Sequence, residues 1–464
     1  MSLRRARRAL PAGVFLLALV GARAGSDEFA GTLPEDYLPE LKPILQAALK
    51  QSPRLFAQEI EITRREAQAA GADAQRLPSV GGHLDYAYNQ TAVSGNSGSQ
   101  SRDAGALYWL GVNQPVFQWG ALANQSAAAH IEVSIAEKNY AEAYRSLAID
   151  LRRQYLSLIV KKASLRQVRF ALAQSATDLK RAQSDRALGN SNISAAAAAA
   201  QQLGFDEASL GVERAEAEFA GSRRTFARLA GIDDLAEAAI PLEISLPRYS
   251  TEVVAGLLAG LSNDKGMSTF EAQVSELRIH QADLGYKIAS VRLRPKVNAG
   301  ASLSQENTTN ATTTTVHQQG VARQTAIVTM QWSIFDGFAT QAAKRDALAN
   351  KRLHERELQT AVQETLDRAQ TLQRQIAIDA RAMELAEIHR KLAVEELGKA
   401  KDEVARGNQS VAAITGATSS LYNSEANSIA NRATFLMHWT ELVSLVGSDP
   451  VLNNLPANYA REKR

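Results

Sequence analysis

Hydrophobic and polar residues alternate along four short stretches of this sequence, and a period of two is typical of β-strands with one apolar and one polar face. We expect strands at about 80–89, 107–117, 297–304 and 325–335. Their apolar positions are Val80, Leu84, Tyr86, Tyr88, Tyr108, Leu110, Val112, Val116, Val297, Ala299, Ala301, Leu303, Val328, Met330, Trp332 and Ile334. This pattern fits a half-buried soluble sheet and equally a sheet that has lipid on one side.

Aromatic residues gather near the ends of these predicted strands. They are Tyr108, Trp109, Phe117, Trp119, Trp332, Phe335 and Phe338. Aromatic side chains at strand ends are typical of the boundary between membrane and water, and we interpret them as a membrane-interface belt. Ordinary core aromatics are the alternative interpretation.

Polar segments join the two strands of each pair. Residues 89–103 and 305–324 are rich in Gly, Ser, Thr, Asn and Gln, so we expect exposed hairpin loops there. Four strands in one chain cannot close a barrel, because about eight are needed for the smallest filled one. A membrane-spanning sheet would therefore require several chains.

The apolar period changes to seven in the segments after each strand pair. Leucines recur at positions 151, 158, 165, 172 and 179, inside a run from Ala121 to Leu188 that contains no proline. A helix of that length is roughly 100 Å long. We expect a second helix after each long one, at about 192–230 and 410–446, so that the chain contains two antiparallel hairpins. The heptads alone fit a free-standing coiled-coil rod as well.

The whole arrangement occurs twice, about 218 residues apart. Val116-Phe117 is followed by Gly189-Asn190 in the first copy, and Ile334-Phe335 is followed by Gly407-Asn408 in the second. A shift of 218 places the five leucines on Ala369, Ile376, Met383, Arg390 and Leu397, four of which are apolar. Gly and Asn favour the left-handed conformation that ends helices, so both pairs are predicted hairpin tips. An internal repeat of this length indicates a symmetric scaffold.

Several arginines precede a short apolar run at the N-terminus, from Ala9 to Val20, and Ala22-Arg23-Ala24 follows as a cleavage site. This is the pattern of a secretory signal peptide over residues 1–24. An uncleaved N-terminal anchor helix is the alternative. Removal of its five arginines leaves 47 basic and 49 acidic side chains, so the net charge of +3 does not indicate a nucleic-acid partner.

We divide the rest of the chain into three parts. The first repeat covers 25–239, with an N-terminal helix, strands at about 80–89 and 107–117, and helices at about 121–188 and 192–230. The second repeat covers 240–450, with helices at about 267–293, 339–406 and 410–446 around the other two strands. Residues 451–464 form a C-terminal tail.

The sequence carries no pattern typical of catalysis or of a bound cofactor or metal. It has no cysteine, and its seven histidines do not have the spacing of paired metal ligands. His354 beside Glu355, and His389 near Glu387, lie in highly charged predicted helices and are interpreted as solvated faces. We therefore expect neither an enzyme nor a cofactor.

An ordered set of motifs resembles the TolC-type outer-membrane efflux proteins over nearly all of the mature chain. In the first repeat the set is Leu49-Lys50-Gln51-Ser52-Pro53, Arg76-Leu77-Pro78-Ser79-Val80, Gln114-Pro115-Val116-Phe117-Gln118-Trp119-Gly120 and Leu188-Gly189-Asn190. In the second it is Leu293-Arg294-Pro295-Lys296-Val297, Ser333-Ile334-Phe335-Asp336-Gly337 and Arg406-Gly407-Asn408.

This resemblance implies a mainly α, internally duplicated chain with membrane β-strands. Three copies would form a twelve-stranded β-barrel in the outer membrane of a Gram-negative bacterium, which continues into a twelve-helix α-barrel in the periplasm. The implied function is an export channel for multidrug efflux or type I secretion. Its implied partners are outer-membrane lipid, a periplasmic adaptor and an inner-membrane pump or secretion ATPase.

The resemblance also implies that the helical tips dock the adaptor and close the channel. By position the tip residues are Gly189, Asn190, Ser191, Gly407, Asn408 and Gln409. Many family members have an acidic residue just after the second tip, whereas residues 411–416 here are Val-Ala-Ala-Ile-Thr-Gly. Closure would then depend on packing or on Asp402 and Glu403. The rival interpretation is a periplasmic coiled-coil adaptor or structural protein without a pore, which would not need four amphipathic strands.

Overall fold

The computed structural model describes residues 33–93, 99–188, 194–312 and 315–455. The predicted signal peptide and the first predicted tip, Gly189, Asn190 and Ser191, lie outside the described residues. The described parts contain long helices and four antiparallel strands, so the predicted fold class is confirmed in its helix and strand content.

The elements follow one another in the same order in both halves of the chain. The first half contains α1 (Pro34–Tyr37), α2 (Leu41–Gln51), α3 (Pro53–Ala74), β1 (Ser79–Val93), β2 (Ser99–Phe117), α4 (Ala121–Ala187) and α5 (Ala195–Ala230). The second half contains α6 (Thr251–Asn263), α7 (Phe270–Ser290), β3 (Lys296–Thr312), β4 (Val316–Gln331), α8 (Ala339–Ala405) and α9 (Val411–Leu445).

The two long helices, α4 and α8, are the frame of the molecule. Each has 67 residues, which corresponds to roughly 100 Å at 1.5 Å per residue. Their first residues are 218 positions apart, and so are their last. The absence of proline from both runs explains why neither helix is interrupted.

Four helices lie side by side at each level of the chain. Nearer to the sheet, α3 packs on α4, α4 on α7 and α7 on α8. Beyond that level, α5 packs on α4, α4 on α9 and α9 on α8. The long helices therefore run through both levels, while the shorter helices occupy one level each.

Burial along α4 and α8 follows the duplicated heptads. Leu151, Leu158 and Leu165 are buried, and so are their counterparts Ala369, Ile376 and Met383. The two positions closest to the tip in each copy are only partly buried, namely Leu172, Leu179, Arg390 and Leu397. The core therefore lies in the middle of the hairpins, and the packing within one chain loosens toward the tips.

A buried ionic cluster joins α4 to segments near both ends of the described chain. The guanidinium of Arg152 donates to Glu35 over 2.9 Å and to Asp449 over 3.1 Å. Burial disfavours the charged form of Arg152, but the two carboxylates outweigh it and raise the pKa of this side chain. The cluster ties α1, the middle of α4 and the segment after α9 together.

The four strands form one antiparallel sheet in the order β1-β2-β3-β4. They are longer than the alternation predicted, because β1 and β2 pair from Ser79 with Asn113 to Val93 with Ser99. Likewise β3 and β4 pair up to Ala311 with Val316. The expectation of long loops over 89–103 and 305–324 is therefore wrong: most of these polar residues belong to the strands, whose ladder satisfies their backbone groups.

Among the residues that the structure describes, no helix combines the length and the apolar composition needed to cross a bilayer.

Candidate functional site: the sheet and the helical tips

One face of the sheet is apolar across all four strands. The cross-strand register brings Val112 opposite Val80 and Ala301, and Leu110 opposite Leu303. On β4, Val328 and Met330 continue the same face opposite Ala299 and Val297. Val80 is 67% exposed and Val328 is 72% exposed. Nothing in the described part of the chain covers this face, so the sheet is not the wall of a soluble core.

The opposite face is mainly polar. It carries His83, Asp85, Asn89, Asp103, Ser302, Ser304, Glu306, Thr308, Arg323 and Thr325. An apolar face and a wet face on the same strands are what a transmembrane β-sheet requires.

The apolar face shifts by one residue at the end of β2. The register changes between Pro115 and Phe117, and Phe117 pairs with Val297. The sequence pattern placed Val116 on the apolar face, but the bulge gives this position to Phe117. A bulge adds one residue to one strand, which reverses the side of every residue after it.

Trp109 lies on the polar face, and its predicted place in a membrane-interface belt is withdrawn. Its indole stacks on the imidazole of His83, with ring centroids 5.1 Å apart. The ring also covers the paired glycines Gly81 and Gly111: a Cβ added to Gly111 would lie 2.3 Å from the indole. Tyr108, its neighbour along the strand, remains on the apolar face opposite Leu84.

The other aromatic residues of the predicted belt lie where the sheet meets the long helices. Phe117 and Trp119 form an edge-to-face pair, with ring centroids 4.7 Å apart. Phe335 and Phe338 repeat this arrangement in the second copy, at 5.4 Å. Trp332 lies just beyond β4 rather than within it, as does Ile334, because the strand ends at Gln331.

The turn from sheet to helix has the same backbone conformation in both copies but a different sequence. Trp119 and Gly120 have φ values of 53° and 78°, and Gly337 and Phe338 have φ values of 63° and 68°. Two successive left-handed residues thus precede each long helix. One non-glycine residue in each copy adopts a conformation that L-amino acids disfavour.

The second helical tip has the geometry that its Gly-Asn pair predicts. Gly407 has a φ of 78°, its N–H donates to Val404 O, and the N–H of Asn408 donates to Glu403 O over 2.9 Å. This pair of bonds is the Schellman motif. Gln409 follows in the bend before α9.

Glu403 stabilises this tip. Its carboxylate accepts a hydrogen bond from the side chain of Asn408 over 2.8 Å and lies 3.4 Å from Arg406. Both of its oxygens are therefore engaged within the same hairpin. The first residue after the tip helix begins, Val411, is 65% exposed and carries no charge.

The histidines with described ring contacts make local pairs with carboxylates. His130 contacts Asp73, His354 contacts Glu357 and His438 contacts Asp379. Within the described residues there is no cluster of three or more His, Cys, Asp or Glu side chains that could hold a metal ion.

Comparison with solved structures shows that the same fold occurs in bacterial outer-membrane channels. The outer membrane channel CmeC of Campylobacter jejuni has a TM-score of 0.69 and 14% identity, and the match covers 97% of this chain and 95% of that one. A membrane protein from Pseudomonas aeruginosa has a TM-score of 0.66 and 17% identity, over 96% and 97% of the two chains. The outer membrane protein VceC of Vibrio cholerae has a TM-score of 0.64 and 15% identity, over 89% and 97%.

No curated protein matches this chain in sequence. The sequence profile described as "Outer membrane efflux protein", however, matches residues 44–230 and 270–448, which is well over half of the chain. The two matched segments contain the two long helical hairpins and the four strands. The chain thus belongs to the outer membrane efflux protein family, and it is an export channel of the outer membrane rather than an enzyme.

Proposed function

We propose that three copies of this chain form a passive duct that crosses the outer membrane and the periplasm. In this proposal the three sheets close into a twelve-stranded barrel, and the helices form a twelve-helix tunnel. A pump in the inner membrane supplies the energy, and an adaptor joins the pump to the duct. The two repeats, 25–239 and 240–450, supply equivalent halves of each subunit after removal of residues 1–24.

The free edges of the sheet support this assembly. Within one chain β1 and β4 each pair on one side only. Because the sheet is an antiparallel meander, β4 of one copy and β1 of the next run in opposite directions and would continue the same pairing. Closure removes the two exposed edges, which are otherwise sites of aggregation.

The outer helices of one chain also carry unpartnered apolar faces. On α8, Ile378, Leu385 and Leu392 are spaced by seven residues and are 64%, 59% and 49% exposed. On α5, Leu203 and Leu210 are spaced by seven and are also exposed. Since α5 and α8 are the outermost of the four helices at this level, the natural occupant of each face is the other helix in a neighbouring copy.

The two faces of the sheet indicate which side is wet. With the apolar face toward lipid, the His83, Asp85, Glu306 and Arg323 side chains would line the interior of the barrel. Tyr108, Phe117, Trp119, Trp332, Phe335 and Phe338 would then form the membrane-interface belt. A polar lining of mixed charge fits a water-filled path of low selectivity.

The helical tips would be the docking and closing region. The proposed contacts are made by Gly189, Asn190 and Ser191 of the first tip and by Gly407, Asn408 and Gln409 of the second. Since Glu403 is bound by Arg406 and Asn408, closure would rely on packing of the helices around Val411 rather than on a ring of free carboxylates. Opening would be a shift between two such packings.

The observation that carries this proposal is the exposed apolar sheet face continuous across four strands. Purified protein should fractionate with the outer membrane and give uniform conductance steps in a planar bilayer. A periplasmic adaptor without a pore would give neither result. Outer-membrane fractionation without conductance would contradict the duct while leaving the membrane location intact.

A further inference from the structure

Positive charge is concentrated where the sheet joins the helices. Four cationic side chains occur at or beside these junctions, namely Arg76, Arg292, Arg294 and Lys296, and the junction segments contain a single carboxylate, Asp336. Arg76, Arg292 and Arg294 are exposed. If the sheet spans the outer membrane as proposed above, this end lies at the leaflet that faces the periplasm.

These four cations lack ion-pair partners. Within the described residues, none of them has a carboxylate oxygen within the 4.0 Å of a salt bridge, although 24 other such pairs occur. The nearby carboxylates are committed elsewhere: Asp336 accepts two hydrogen bonds from Thr340, and Asp73 accepts from Ser126 and His130. The side chains are therefore free to bind an external anion.

Two tryptophans fix the backbone around Arg294. The indole N–H of Trp119 donates to Pro295 O over 2.6 Å, and the indole N–H of Trp332 donates to Leu293 O over 3.0 Å. The carbonyl groups on both sides of Arg294 are thus held by one indole from each repeat. The guanidinium also lies over the Trp119 ring, 4.8 Å from its centroid. An arginine held in this way loses less conformational entropy when it binds a ligand.

The position of Arg294 points toward lipid. Trp119 contacts Phe117, which pairs with Val297 on the apolar face. Lys296 has the opposite parity, because it precedes Val297 and pairs with Gln331 on the polar face. Arg294 therefore lies at the lower border of the lipid-facing surface, while Lys296 lies on the side of the proposed lumen.

We propose that Arg294, with Arg292 beside it, binds the phosphate group of a phospholipid in the leaflet of the outer membrane nearest the helices. This inference rests on the proposed membrane-spanning orientation. A guanidinium offers paired donors that match phosphate oxygens, and interfacial tryptophan places it at the depth of the head groups. The contact would fix the height of the barrel in the bilayer.

Arg76 provides a comparison within the same chain. A shift of 218 residues relates it to Arg294, but the position equivalent to Trp119 is Gly337. Arg76 makes no cation–π contact among the described residues. The Arg294 site should therefore be the stronger of the two.

The test is titration of the purified full-length protein in detergent with phosphatidylglycerol, with bound lipid counted by native mass spectrometry. Each interfacial arginine accounts for roughly fivefold in affinity for an anionic membrane. The Arg292→Gln/Arg294→Gln variant should therefore bind the lipid at least tenfold more weakly. Arg294→Lys should recover part of the loss, and Arg76→Gln should have the smaller effect. Arg374→Gln removes an exposed arginine from the middle of α8, far from the sheet, and should have none.

Unchanged phosphatidylglycerol binding by the double variant would overturn the proposal. Competition by inorganic phosphate at equal concentration would overturn the assignment to a lipid. Conductance of the same preparations separates this result from failure of the proposed function. Wild-type protein that does not conduct contradicts the duct, whereas normal conductance with unaltered lipid binding contradicts only the Arg294 site.

Discussion

Arg152 in the middle of α4 is paired with Asp449, a residue 297 positions further along the chain, and both side chains are only 1% exposed. Glu35 completes the cluster from the other end of the chain. A charge in this environment is tolerated only because it is paired and hydrogen bonded.

Removal of one partner should therefore be costly. We expect Asp449→Ala to lower the free energy of unfolding by about 3–5 kcal/mol, because the guanidinium loses one of its two carboxylates in a buried site. The measurement is denaturant or thermal unfolding of the purified protein. The variant Asp150→Ala, which affects a more exposed ion pair with Arg54, should cost less than about 1 kcal/mol. Equal effects of the two substitutions would contradict this account.

The contact between neighbouring subunits can be tested by disulfide formation, because the native chain has no cysteine. Leu210 and Leu392 lie at similar heights, since Arg169 meets Glu216 between α4 and α5, while Arg166 meets Glu425 and Arg432 meets Glu387 across α9. A chain with both Leu210→Cys and Leu392→Cys should form covalent dimers and trimers on a non-reducing gel.

A matched pair should remain uncrosslinked. Leu353 is also exposed on α8 but lies 39 residues nearer the sheet than Leu392, which is roughly 60 Å along the helix. Leu210→Cys combined with Leu353→Cys should stay monomeric under the same conditions. Crosslinking in both pairs, or in neither, would argue against the proposed contact of α5 with α8.

The tip can be tested at Gly407. Gly407→Trp should abolish export, because it places a large side chain on the proposed docking surface, while trimers persist. Gly407→Ala is the control for backbone strain alone: the left-handed conformation costs an alanine about 1 kcal/mol, and we expect export to survive. Export is measured as accumulation of a fluorescent efflux substrate in the native host. Normal export by the tryptophan variant would count against docking at this tip, and Gly189→Trp tests the first tip in the same way.

Acid should weaken one specific contact between α8 and α9. Hydrogen bonding from Arg390, and the charges of Arg390 and Arg432, hold the pKa of Glu387 below its usual value of 4.5. Its contribution to stability is therefore complete above about pH 4.5 and is lost as the pH falls through the lowered pKa. We expect Glu387→Gln to cost about 1–3 kcal/mol at neutral pH and nothing in strong acid.

Thermal unfolding of wild type and variant between pH 3 and pH 7 gives the comparison. Glu384 is an exposed carboxylate on the same helix without an ion pair among the described residues. Its replacement by glutamine should leave the pH profile unchanged. A Glu387→Gln effect that persists at pH 3 would show that the side chain acts through packing and not through its charge.

The long helices could be predicted closely from the sequence, because proline-free heptads and a Gly-Asn tip are local signals. The strand ends could not. Thr308 and Thr309 lie in a polar tract that resembles a loop, yet they pair with β2 and β4, and such pairing depends on partners far away in the sequence. The bulge at Val116 was hidden for the same reason, since register is a property of two strands and not of one.

Two further features depended on three-dimensional neighbours. Arg152 is one of many arginines on a charged helix, and nothing in its local sequence distinguishes it from exposed ones such as Arg153. Trp109 was assigned by residue type, although its position next to Tyr108 on a strand already places the two on opposite faces. Its odd position in the alternation was the signal that could have found it.

The paired left-handed turns have a consequence for whatever surrounds the assembled molecule. Trp119-Gly120 and Gly337-Phe338 give the same bend with the bulky ring on opposite sides of the glycine. Around a ring of three chains, such corners would alternate six times with one contour and two surface chemistries. Six identical molecules encircling the ring would consequently meet two unlike seats in turn, and would have to settle as three pairs.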